Sequence, residues 1–299
     1  MAHEQPPYLF PSDGSEPDDE DDTDLTFGDD DKSTTTLDPE ELHPTYIYDR
    51  EYTSTYEGAC SCTPTDDKYQ QVLECYGGAW LEPSPSAPEG EYSGIITPAI
   101  GNLCAGVGPA GTRYRHWNSE LDDCNRDWAW SPRSFDYVRI CNMTGNVKDW
   151  PRLFRMAGQS TRIGGFMESS EDSIWFGSTI PGSSLPRALQ VWNLSIVLAG
   201  IRSGRSFHIV EYDQQMQSMV EAGIEVIRTD HSWISYSERL LHNLLDDLDG
   251  VFNFPAKQLG WSPERVTVFL SDVRKAIISH GRWLGFRRTV VIGKVSQPP

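Results

Sequence analysis

From residue 112 to its end the chain alternates short β-branched runs with segments of helical period, and this alternation limits its fold more than any other feature. Phe135–Cys141 reads as a buried strand. Lys148–Thr161 has helical period, with Trp150, Leu153, Phe154 and Ala157 on one stripe. Pro151 fits its first turn, where a missing N–H costs little. Gly164-Gly165 turns the chain into a second strand, Phe166–Ser170. Two helical segments follow, Ser184–Arg202 and Val210–Ala222, the second closed by Gly223. Ile224–Arg228 alternates as a strand, and Ser237–Phe252 carries Leu240, Leu241, Leu244, Leu245 and Leu248 on one helical stripe. Ser262-Pro263-Glu264 opens a further helix with a cap residue, a proline and a first-turn acid, and Thr289–Ile292 is a last strand. That order implies an α/β fold, a mainly parallel sheet with helices on both faces, and it permits a final strand inserted antiparallel.

The chain before residue 112 reads differently. Its first 49 residues hold 16 of the 44 acidic side chains and one, Lys32, of the 25 basic ones, which leaves about −15 on this tail and about −4 on the rest. Residues 1–45 therefore read as an acidic disordered tail, because so little apolar surface cannot offset the entropy of ordering. Residues 46–299 read as the folded domain. Such a tail repels phosphates, which argues against direct nucleic-acid binding through it. The stretch 83–111 is dense in proline and glycine, and only Tyr92–Thr97 reads as a strand. The six cysteines show no paired CxxC spacing and no two histidines sit at ligand spacing, so no metal site is expected. No basic segment followed by an apolar run opens the chain, and no apolar stretch approaches the ~20 residues that span a bilayer. The expectation is a soluble intracellular protein, cytoplasmic or nuclear, with reduced thiols and no membrane partner.

Three stretches carry more than a fold class. The first runs from Asp127-Trp128-Ala129-Trp130 through Ser134–Ile140 to Thr144–Pro151; the second is Gly164-Gly165-Phe166-Met167-Glu168; the third is Leu259-Gly260-Trp261-Ser262-Pro263-Glu264. In this order and spacing they resemble, over about residues 112–295, the fungal LaeA-like family of class I S-adenosylmethionine (SAM) methyltransferases, the secondary-metabolism regulator type. The resemblance implies a seven-stranded, doubly wound methyltransferase sheet that binds SAM at the carboxyl ends of its strands. It implies a small natural-product acceptor, covered by helices within 183–253. Asp122 and Asp123 are similar to the family's paired acids near the adenine amino group. Arg139 and Asn142, with Met143, lie where the family's cofactor and substrate meet.

The sequence departs from that family at the cofactor loop. No Gly-x-Gly-x-Gly string, whose missing side chains let a backbone approach SAM, follows an early strand. The nearest string, Val72–Ala79, has Tyr76 in place of a glycine. Thr97 stands where the family closes a strand with an acid, and a threonine offers one hydroxyl where a carboxylate grips two. His208, His231, His242 and Tyr236 are the candidate bases. His231, just past the strand Ile224–Arg228, lies where sites of this fold gather. Asp246, Asp247 and Asp249 read as a solvated helix face, and Trp192, Trp233, Trp261 and Trp283 as core or as an acceptor pocket. Two functions stand: a methyltransferase of secondary metabolism, or a catalytically inactive protein of that fold that works by binding a protein partner.

Overall fold

The computed structural model describes residues 43–54, 60–64, 93–98, 103–108, 118–122, 124–128 and 130–296, so the expected tail lies outside it but for its last residues. A small antiparallel sheet holds β1 (His43–Ile47), β2 (Arg50–Ser54) and β3 (Cys60–Pro64). The main sheet holds β4 (Ser93–Pro98), β5 (Leu103–Gly108), β6 (Asn118–Asp122), β7 (Phe135–Cys141), β8 (Thr161–Asp172), β9 (Gly177–Ser178), β10 (Glu225–Ser235) and β11 (Leu284–Lys294). Its order is β10-β11-β8-β7-β4-β5-β6, with β9 beside the start of β11. The helices are α1 (Trp150–Ser160), α2 (Arg187–Ser203), α3 (Gln214–Glu221), α4 (Glu238–Asp246), α5 (Leu248–Gln258) and α6 (Pro263–His280).

This is an α/β fold, a central sheet with flanking helices, and its last strand is inserted antiparallel between β8 and β10. The sheet is mixed. β7 runs parallel to β4 and β8, but β4, β5 and β6 form an antiparallel meander. Chain length explains this: only residues 99–102 join β4 to β5 and 109–117 join β5 to β6. A parallel crossover needs about a dozen residues or more.

Two cores hold the layers. On one face of the sheet, Val138, Ile140, Met167 and Val291 pack against Trp150, Leu153, Phe154 and Ala157 of α1 and Met219 of α3. Asp149 starts α1 by accepting from the Arg152 N–H at 2.9 Å, and Pro151 sits in the first turn as the sequence implies. The second core joins Leu189, Trp192 and Ile196 of α2 to Leu240, Leu244, Leu248 and Phe252 of α4 and α5, and to Val273 of α6. It also takes in Phe176, which follows β8, and Leu284 and Phe286 at the start of β11. These helices therefore gather beyond the carboxyl ends of β7 and β8.

The helix read over Ser237–Phe252 is broken at Asp247 (φ −128°, ψ 36°), whose fully buried carboxylate pairs with the Arg50 guanidinium at the start of β2. Arg50 also reaches Asp249 at 2.9 Å. The three acids are thus not one solvated face, since Asp247 is buried.

Candidate functional site

The carboxyl ends of β7 and β8 lie side by side, Cys141 opposite Ser170. The chain leaves β7 through Asn142, whose φ of 55° is left-handed and whose N–H donates to the Ser170 carbonyl at 3.1 Å. Glu171, completely buried, then stitches the loop down. It accepts from the Met143 N–H at 3.0 Å, the Thr144 N–H at 2.9 Å and the Thr144 hydroxyl at 2.8 Å. Burial pushes its carboxyl up to about 8, against the pull of those hydrogen bonds. Asp172 follows and receives Arg288 as a fork, at 2.6 and 2.7 Å; burial raises the Asp172 carboxyl and Arg288 opposes it.

A strap, residues 205–211, crosses this edge. Gly204, left-handed at φ 65°, ends α2 and releases it. Arg205 donates to the Gly145 carbonyl at 3.2 Å, and the Gly145 N–H donates to the Ser206 carbonyl at 3.1 Å. At the far end the Ser173 hydroxyl donates to Glu211, and the Ser173 N–H donates to the Arg287 carbonyl at 2.8 Å. The strap thus ties the loop after β7 to the loop after β8.

Among the described residues, two buried polar atoms of the strap, His208 Nδ1 and Glu211 Oε2, have no hydrogen-bond partner, and neither has Trp175 Nε1 just after β8. A buried polar atom left unmatched costs about 1–3 kcal/mol, so such atoms call for an explanation. Burial lowers the His208 imidazole and raises the Glu211 carboxyl. His208 is therefore neutral near pH 7 and able to accept a proton. Its ring stands edge-on to Tyr212, centroids 4.9 Å apart.

The sheet brings several residues singled out from sequence to this same edge. Ile96 is level with Ile140, so Thr97 stands beside Cys141, and Asp122 faces Leu103, which itself faces Pro98. Thr97, Asp122 and Asn142 are thus all at the carboxyl edge by backbone position, and Asp123 lies outside the described residues. Arg139 is set back from it. Its buried guanidinium donates to Glu168 across the strand pair at 3.0 Å, and the Tyr137 hydroxyl donates to the other oxygen at 2.7 Å. His231 lies within β10 rather than past its end, because the strand runs on to Ser235. Its Nδ1 is 3.0 Å from the Thr289 hydroxyl and 2.9 Å from Arg287, which also holds Asp213 at 3.1 Å. His242 is exposed beside Asp246, and Tyr236 is core, packed on Phe176 and Phe286. Trp192 and Trp261 stack in the aromatic core around Phe252, whereas Trp233 and Trp283 are exposed. Among the described residues no group of three or more His, Cys, Asp or Glu is placed to hold a metal, and no helix is long and apolar enough to cross a membrane.

No protein-family model matches the chain. Two curated sequences of methyltransferase pytC from Aspergillus terreus are 29% and 28% identical to it over 188 residues. The alignments take in 56% of this chain and 53% of theirs, so the chain spans about half the length of the curated relatives it matches. Similar solved structures include phosphoethanolamine N-methyltransferase 2 of Haemonchus contortus in complex with SAM, at 16% identity over 59% of this chain and 36% of that one, TM-score 0.31. Another is geranyl diphosphate C-methyltransferase of Streptomyces coelicolor A3(2), at 9% identity over 58% and 52%, TM-score 0.26. The chain is related in sequence to a fungal methyltransferase, and its α/β fold rests on the topology above.

Among the described residues no glycine-rich turn leads from a strand beside β7 into a helix. β4 holds the place beside β7 from which a glycine-rich turn would lead into a helix. It returns instead into β5 after four residues containing one glycine, Gly101. The string Val72–Ala79 lies outside the described residues.

Proposed function

We propose that the chain is a SAM-dependent methyltransferase of fungal secondary metabolism, LaeA-like in type, acting on a small natural-product acceptor held at the carboxyl edge of β7 and β8. The sequence likeness to a fungal methyltransferase supports the class. The observation that carries the site is the strap with its two unmatched buried atoms, His208 Nδ1 and Glu211 Oε2. SAM, when bound, supplies the methyl group. The chain's own part is to hold the acceptor and take its proton. His208, kept neutral by burial, accepts a proton from an acceptor hydroxyl at Nδ1, and Glu211 Oε2 orients a second polar group of the same molecule. Phe207, wedged against Gly145, keeps water from the base of the strap. We assign Asp122, Asp123 and Thr97 to the adenosine side and Asn142 to the rim between cofactor and acceptor. Arg139 supports that rim from below through Glu168. His231, engaged by Arg287 and Thr289, steadies β10 against β11.

The test is transfer of label from methyl-labelled SAM to a panel of phenols and enols by the full chain. Glu211→Gln and His208→Ala are each expected to lower transfer by roughly 10²–10⁴-fold with the circular dichroism spectrum unchanged. Equal transfer by the variants contradicts the site. One observation favours a second reading: the tight return of β4 into β5 removes the usual cofactor turn. On that reading the chain binds a ligand or protein partner without transferring a methyl group, and the panel shows acceptor binding with no labelled product.

A further inference from the structure

β10 forms one side of the main sheet. It pairs with β11 and, among the described residues, with no other strand. None of its eleven residues is buried. A long exposed edge is a template for another strand, and proteins usually blunt it with scattered charge. Here the charge is patterned. Arg228 and Asp230 lie two apart on one face of β10, Nε to Oδ2 at 2.6 Å, with side chains 53% and 49% exposed.

We propose that two copies of the chain join edge to edge through β10, antiparallel, about a two-fold axis at Thr229. In this register Arg228 of each copy stands opposite Asp230 of the other. The two in-strand pairs close into a ring of four alternating charges. Moving the axis by one residue sets Arg228 against Arg228 or Asp230 against Asp230, so like-charge repulsion disfavours the neighbouring registers. Ile227, exposed by 48%, stands beside the ring and loses water as the strands join, whereas Trp233 lies on the opposite face over Gly177. The contact is isologous, as closed dimers require, and extends two sheets into one.

Sedimentation velocity of the full chain, with variants at these two positions, tests the register directly. The unaltered chain is expected to dimerise. Arg228→Asp and Asp230→Arg each set like charges opposite one another twice, and each weakens association about tenfold or more, the effect of 1.4 kcal/mol. The double variant restores it. An equimolar mixture of the two single variants also restores it, because every opposed pair in the mixed dimer is again Arg against Asp. A chain that stays monomeric at concentrations on the order of 100 µM overturns the proposal, since so weak a contact has no use. So does dimerisation unchanged by the single reversals, and so does a mixture that fails to dimerise while circular dichroism shows both variants folded.

Discussion

Glu171 sits where the fold and the site meet, because one carboxyl holds the loop after β7 by three hydrogen bonds while wholly buried. Its folded pKa, about 8, lies above the ordinary glutamate value of 4.5, so the folded chain holds this proton more tightly than the unfolded one does. The stability linked to it is full below the unfolded value and is lost as pH rises through about 8, at up to about 1.4 kcal/mol per unit. Urea midpoints of the unaltered chain should therefore fall relative to those of Glu171→Gln between about pH 5 and pH 9, and parallel curves would contradict the assignment. At this scale the sequence was only partly legible. His208 stood among four candidate bases with nothing to raise it above His231, because burial of one ring nitrogen depends on the strap's path across the sheet edge. Glu211 had no signal at all: one acid between helical segments reads as surface. Glu171-Asp172 offered a weak one, two consecutive acids ending a strand directly after Ser169-Ser170.

Among the elements, β7 was legible to its ends and α1 to within two residues, because a fully buried strand and a one-sided helix write clean periods into the sequence. β10 was read at less than half its length, since none of its residues is buried and the apolar alternation that marks a strand is missing. The meander of β5 and β6 gave no strand signal, β5 lying in a stretch dense in glycine and proline and β6 holding one apolar residue, Leu121. The strap depends on Gly145, whose φ is 82° and whose added Cβ would stand 2.3 Å from the Phe207 ring. Gly145→Ala should lower stability by about 1–3 kcal/mol, seen as a fall in Tm, and reduce label transfer with it. Asp149→Ala, which removes the cap of α1 away from the strap, should cost about 1 kcal/mol and leave transfer per folded molecule unchanged. If both variants lose transfer equally, the strap has no special place in function.

Across the whole molecule, the helical core beyond the strand ends is joined to the small sheet by polar and apolar ties. Arg50 binds the buried Asp247, the Tyr48 hydroxyl donates to the Trp261 carbonyl at 2.6 Å, and Ile47 and Tyr52 enter the core. Arg50→Met takes the guanidinium from the buried Asp247 carboxylate and should destabilise the chain by about 3–5 kcal/mol, read by urea unfolding; a loss below about 1 kcal/mol would contradict the importance of this pair. The alternation of strand and helix after residue 112 made the α/β class legible. The parallel or antiparallel sense of β4 to β6 was not, because it follows from connection lengths between strands that the sequence hardly marks. That same region decides whether the chain is an enzyme. The most direct test of the methyltransferase reading is titration calorimetry of the full chain with SAM and with S-adenosylhomocysteine. The account predicts saturable binding of both in the micromolar range, weakened at least tenfold by Asp122→Ala. No heat at millimolar ligand, from protein shown by circular dichroism to be folded, would contradict it.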